Sequence, residues 1–305
     1  LFLANGDKEK YLTALEFAYQ NTKDKKYIIE LLGSVISINY NLDIVISKYG
    51  KIIDDINYEE ISDIHVLISL SRYFVYMSTA NKTEMGYNNA YLKKAENTLM
   101  YALSIVPSSE KMLQTDYYSR AEIYNELTLC ENRAGNYEKS LEYINNAISD
   151  FETGKKVGNS EQETLFCYYS KNILTVKCNM ALVYVRMREW EKGLIVANEY
   201  EKIFNDLSND KKTYLTNTLS FNNQEIYYLK GRCLHGMEKY DDAIINHSIA
   251  IDDKHSKLRD GAVYYYLGLS YLGKGKITEA CADFNYACSK GINEACIRYK
   301  TTCKK

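Results

Sequence analysis

Residues 227–250 read YYLKGRCLHGMEKYDDAIINHSIA, and residues 264–287 read YYYLGLSYLGKGKITEACADFNYA. Tyr227, Gly231 and Leu234 of the first segment recur as Tyr264, Gly268 and Tyr271 of the second. Tyr240, Ala243, His247 and Ala250 recur as Ile277, Ala280, Phe284 and Ala287. Every pair is 37 residues apart, a period that marks stacked helical hairpins. The spacing has a physical reason. An aromatic residue, a glycine four on and an apolar residue three further on share one helix face. The glycine lets a second helix approach closely. After a short turn, a small residue, a bulky one four later and an alanine three beyond that form the facing stripe. Small against large is how two antiparallel helices interlock at close range.

This pattern resembles the tetratricopeptide repeat family. Leu267-Gly268, Tyr271, Gly275, Ala280, Phe284 and Ala287 all fit it, while the earlier copy departs at Lys230 and His247. The resemblance implies an all-α fold, a right-handed superhelical solenoid of antiparallel helix pairs. Composition agrees: one proline and 15 glycines in 305 residues permit long helices and few tight turns. A hydrophobic share of 46% is enough to bury a core.

Working outward, we read a single array over 1–305. Residues 1–57 are degenerate N-terminal helices, 61–291 the repeats and 293–303 a capping helix. Residues 8–21 carry a helix-spaced stripe of Leu12, Leu15, Ala18 and Tyr19. Leu32-Gly33 followed by Val45, Tyr49 and Ile52 reads as a worn repeat. Residues 61–107 form a repeat with a wide internal turn, its second helix marked by Ala95, Leu99 and Ala102 and stopped by Pro107. Residues 119–151 form another, with Thr128 in the glycine position and Ser140 in the small one. The polar TGKKVGNSEQE (153–163) reads as a loop. A further pair over 164–205 carries Ala181, Tyr184, Trp190, Gly193, Ala197 and Tyr200, and DLSNDKK (206–212) reads as the loop after it. Solenoids need a terminal element with a polar outer face, the part assigned to the last helix.

The net charge of −2 gives no electrostatic case for nucleic acid, and no apolar run approaches the ~18 residues of a membrane span. No metal, nucleotide or hydrolase motif occurs, so no cofactor, metal or catalytic residue is expected. Of His65, His235, His247 and His255, His247 falls on a core position and reads as structural. Asp241-Asp242 and Asp252-Asp253 suit helix N-termini or solvent. Runs such as Tyr117-Tyr118, Tyr168-Tyr169, Tyr227-Tyr228 and Tyr264-Tyr265-Tyr266 can send one ring to the core and another to a binding surface, since helical neighbours point ~100° apart.

In the resembled family the first helix of each pair lines the concave surface. Carried over position by position, this gives Asn125, Asn132, Arg133, Arg186, Tyr228, Arg232, His235 and Tyr265 as the partner-binding groove. The expected function is a non-enzymatic scaffold for a protein or peptide ligand. The alternative is the sensory or regulatory half of a larger signalling or transcription-regulator protein, an idea prompted by a chain that begins at Leu1 without methionine.

The last four cysteines are regularly placed. Helices over 277–290 and 293–303 joined at Gly291 would form a hairpin, in which facing residues keep a constant index sum. Cys288 with Cys296 and Cys281 with Cys303 share that sum. The spacing predicts two nested disulfides, with four reduced thiols as the alternative. Zinc fits worse, because seven helical residues span ~10 Å. The segment ACSKGINEAC also resembles Sel1-like cysteine-containing repeat proteins of bacteria, which pair two cysteines at this separation. Bridges would imply an oxidising site such as the bacterial periplasm or cell surface; reduced thiols would suit the cytoplasm.

Overall fold

The computed structural model describes residues 8–38, 42–80, 87–158, 163–217, 224–251 and 260–303. Every regular element among them is helical. The first seven helices are α1 (Lys8–Thr22), α2 (Lys25–Ile38), α3 (Leu42–Asp54), α4 (Ile64–Ala80), α5 (Asn89–Ile105), α6 (Gln114–Ala134) and α7 (Tyr137–Val157). Then follow α8 (Glu163–Met187), α9 (Trp190–Asn205), α10 (Asn209–Asn217), α11 (Gln224–Gly236), α12 (Tyr240–Ile251), α13 (Asp260–Gly273), α14 (Ile277–Ser289) and α15 (Asn293–Arg298). A π-turn over Tyr299–Cys303 ends the described chain. The chain forms two compact units, Leu1–Val176 and Lys177–Lys305, divided inside α8.

In the first unit the interior runs through Leu12, Ile28, Leu32, Ile53, Leu67, Leu70, Tyr73, Leu99 and Ile123. Leu32 and Tyr49 of the worn repeat are buried, whereas the surroundings of Gly33 and the side chain of Val45 lie outside what the structure describes. Asn88 caps α5 by accepting the amides of Ala90 and Tyr91, and the helix stops just short of Pro107. α6 and α7 run antiparallel: Ser140 meets Thr128, Tyr143 meets Tyr124, and Asp150 meets Arg120, one index rising as the other falls. Ser140 Oγ donates to the Thr128 carbonyl at 3.0 Å, so two polar residues achieve the close approach that glycine and alanine provide elsewhere. Ion pairs join the helices: Arg72 of α4 bonds Glu126 of α6 at 2.7 Å, and Arg120 grips Asp150 of α7 through two nitrogens. The charges of Glu126 and Glu122 hold the half-buried Arg72 guanidinium firmly protonated.

In the second unit the sequence repeat becomes packing. A Cβ built on Gly231 would lie 2.6 Å from the His247 ring, and one on Gly268 2.8 Å from the Phe284 ring. Each glycine is therefore the socket for the bulky residue of its own partner helix. A second contact links successive pairs. The Trp190 ring, at the start of α9, covers Gly236 at the end of α11, and the Tyr240 ring of α12 covers Gly273 at the end of α13. Across both units the second helices bury the same small–large–small stripe: Ala95–Leu99–Ala102, Ser140–Ile144–Ala147, Ala243–His247–Ala250 and Ala280–Phe284–Ala287. Gly275 and Gly291 sit at φ +75° and +85°, a left-handed turn that costs glycine little.

Two expected loops are helical in part. α7 continues through Thr153–Val157, because Gly154 is buried against the Tyr117 Cβ (3.2 Å) and the Tyr169 hydroxyl (3.4 Å). This glycine serves close packing and does not break the helix; residues 159–162 lie outside the described chain. The tail of DLSNDKK enters α10, whose Leu215 is fully buried. That apolar anchor lies beyond the polar heptapeptide that suggested a loop.

Candidate functional site

α6 holds three of the sequence-derived groove residues. Asn132 is 3% exposed and belongs to the interior; Asn125 is half-buried. Arg133 donates from Nη1 to the Val75 carbonyl at the end of α4 (2.9 Å) and lies over the Tyr87 ring, so it braces two helices. In the second unit, Arg186 is half-buried near the end of α8.

The remaining four come from α11 and α13. Tyr228, Arg232 and His235 are spaced four and three apart and so share a face of α11. Tyr228 turns to the interior. It is 4% exposed, packed against His247 of α12 and edge-on to Tyr266 of α13. Tyr266 closes over it from the neighbouring helix, which α11 periodicity alone cannot foresee. Tyr265 is half-buried between Tyr266 and Phe284.

Around Arg232 the three helices converge. Its guanidinium carbon lies 4.4 Å from the Tyr266 ring centre and 5.6 Å from that of Tyr228. Nε is shielded from solvent with no hydrogen-bond partner. His235 lies beside it, its Nδ1 3.2 Å from Ser270 Oγ. Ser270 spends its only hydroxyl proton on the Tyr266 carbonyl at 2.9 Å. The Nδ1–Oγ bond must therefore be donated by histidine, which fixes the Nδ1–H tautomer and leaves Nε2 as an acceptor. Burial first, and the Arg232 charge second, lower the His235 pKa. His247 is fully enclosed, both ring nitrogens unpartnered, and burial followed by the His235 and Arg232 charges pushes its pKa down to about 3. It is a neutral packing ring, as its sequence position suggests.

Sequence reading missed Tyr266 and Ser270. Tyr266 stood in a run of three tyrosines with no rule to choose among them, and Ser270 aligns by the repeat with the apolar-packed Cys233, so the period carried no polar signal.

At the C-terminus the sulfurs of Cys281 and Cys303 and those of Cys288 and Cys296 lie at bonding distance, with Cα atoms 5.7 and 4.6 Å apart. These are the pairs the hairpin register predicts. Cys130 and Cys233 are buried thiols outside these pairs. No group of three or more potential metal ligands occurs among the described residues, and none of their helices is long and apolar enough to cross a membrane.

No protein-family model and no curated protein matches this chain. Among solved structures it is similar to BtubC (BKLC) from P. vanneervenii, at 16% identity, with 96% of this chain and 91% of that one covered and a TM-score of 0.45. A likeness that distant leaves the reading of the fold to the helix pairs themselves.

Proposed function

We propose that this chain is a non-enzymatic scaffold of the tetratricopeptide type that binds a protein or peptide segment. The observation that carries the reading is a division of labour in the second unit. Second helices spend their stripes on the core, while α11 and α13 retain a partly open face bearing Arg232, His235, Tyr265 and Tyr266. Arginine and tyrosine are the residue types that dominate protein interfaces. The one serine–histidine pair in this cluster supports a binding role over a catalytic one. Ser270 accepts a hydrogen bond from His235 instead of donating one to it, the reverse of what nucleophilic activation requires.

The C-terminal cysteine pairs support an oxidising location, the periplasm or surface of a bacterial cell, since bridged cysteines persist there and not in a reducing cytoplasm. The test of the scaffold reading is a displayed peptide library panned against the 305-residue chain. It should return a shared motif whose binding is lost in an Arg232→Ala/Tyr265→Ala double variant and kept in Ile245→Ala on the exposed side of α12. Motif binding indifferent to the first variant would place the partner elsewhere.

A further inference from the structure

The arginines of the first unit show what this fold does with a half-buried guanidinium. Arg72 reaches two glutamates, Arg120 an aspartate and Arg133 a main-chain carbonyl. Arg232 differs. Among the described residues it makes no ion pair and no hydrogen bond. Nε is enclosed, while the residue as a whole is only half-buried. Removing part of a cation from water without an acceptor carries a cost, and here the compensation from protein is limited to two tyrosine rings. The groups near it on the three helices are Tyr228 and Cys233 of α11, His247 of α12 and Tyr266 of α13, with burial keeping the Cys233 thiol and the His247 ring neutral. The neighbouring Lys230 is engaged with Glu201 at 2.6 Å. His235 presents an unprotonated Nε2 that makes no hydrogen bond to protein.

We propose that Arg232, backed by Tyr266 and flanked by His235, is the anchoring point for a carboxylate of the bound peptide. The proposal rests on the peptide-binding reading above. A carboxylate presents two coplanar oxygens to the open edge of a guanidinium, a geometry that arginine recognises with two parallel bonds. One cation without an ion pair among the described residues, beside a neutral ring, matches a single negative charge better than a phosphate dianion. An approaching anion also reverses the sign of the field at His235. Nε2 takes a proton from solvent, Nδ1–H keeps its bond to Ser270, and the imidazolium becomes a second donor to the anion. Binding is thus tied to uptake of one proton and tightens as pH falls through the His235 pKa.

The test uses small probes, so it does not depend on finding a partner. The imidazole signals of the intact protein are followed by NMR during titration with N-acetyl-glutamate N-methylamide, which carries a side-chain carboxylate. Parallel titrations use N-acetylglycine, which carries a chain-terminal one, N-acetyl-glutamine N-methylamide, which carries none, and inorganic phosphate. The expected result is saturable movement of the His235 signals with one or both carboxylates and a raised His235 pKa in the complex; the stronger carboxylate identifies the source. Arg232→Gln should weaken that binding at least tenfold. Arg232→Lys, which keeps the charge and loses the fork, should weaken it several-fold while leaving the melting temperature close to that of the parent. Equal response to the glutamine probe, response to phosphate alone, or unchanged affinity in both variants overturns the proposal. Carboxylate binding combined with a peptide library that yields no motif would instead overturn the scaffold reading and leave this site standing.

Discussion

Replacing Gly231 by alanine tests the packing of the repeat directly. The added Cβ would stand 2.6 Å from Cε1 and Nδ1 of His247 and 2.9 Å from its Cγ. Comfortable carbon contacts lie near ~3.5–4 Å, so the ring must move by roughly 1 Å. It has nowhere free to go, because it is fully buried among Gly231, Tyr228 and Tyr266. Overpacking of this kind costs about 1–3 kcal/mol. Against it stands the gain of about 1 kcal/mol from exchanging glycine for alanine within a helix. The balance is a loss of up to about 2 kcal/mol, at roughly 3–5 °C in Tm per kcal/mol for a unit of this size. Thermal and urea melts followed by circular dichroism read the change. The diagnostic comparison is made in a His247→Ala background, where the socket is empty. There the same substitution should be neutral or stabilising by up to about 1 kcal/mol. Stabilisation by Gly231→Ala in the natural background, or strict additivity with His247→Ala, would refute the socket argument.

Ala243→Arg and Ala280→Arg each force a long cation into a fully buried stripe position and should destabilise the second unit by about 3 kcal/mol or more; an unchanged melt would mean these positions are open. Peptide mapping without reduction, after thiol blocking, should recover Cys281 joined to Cys303 and Cys288 to Cys296. Reduction should lower stability by about 3 kcal/mol for the longer closure; four blocked thiols would remove both the bridges and the oxidising location. Asp283 has an unpartnered Oδ2, and burial raises its pKa from 3.8 to about 7. The folded state therefore holds this proton longer than the unfolded chain, and stability falls as pH rises from about 4 through about 7. Asp283→Asn should flatten that slope and leave the protein about 1–2 kcal/mol more stable at alkaline pH, a value reduced for the group's partial exposure. A slope that persists in the variant assigns it to another group.

The helix pairs were legible because their determinants are local. Gly231 with Ala243 and Gly268 with Ala280 announce close approach through residue size alone, and the cysteine pairing followed from hairpin register. The surface was harder. Tyr228 has the same helical phase as Arg232, yet a ring from α13 covers one and only backs the other. That difference depends on how far a neighbouring helix leans, which no period within α11 records. Gly154 misled for a related reason: a glycine in a polar stretch means either a turn or a contact, and the contact partners, Tyr117 and Tyr169, are remote in sequence.

The seam between α9 and α11 has a spectroscopic consequence. Trp190 is the sole tryptophan among 30 tyrosines, and its indole lies against Gly236 at the end of α11. Red-edge excitation selects that indole, so its emission reports on this one junction, whereas tyrosine emission averages over both units. If unfolding starts at the C-terminal hairpin and proceeds inward, tyrosine signals will change before the indole band shifts. If the second unit opens as a whole, the two will change together. The chain thus carries its own probe for the order in which its helix pairs come apart.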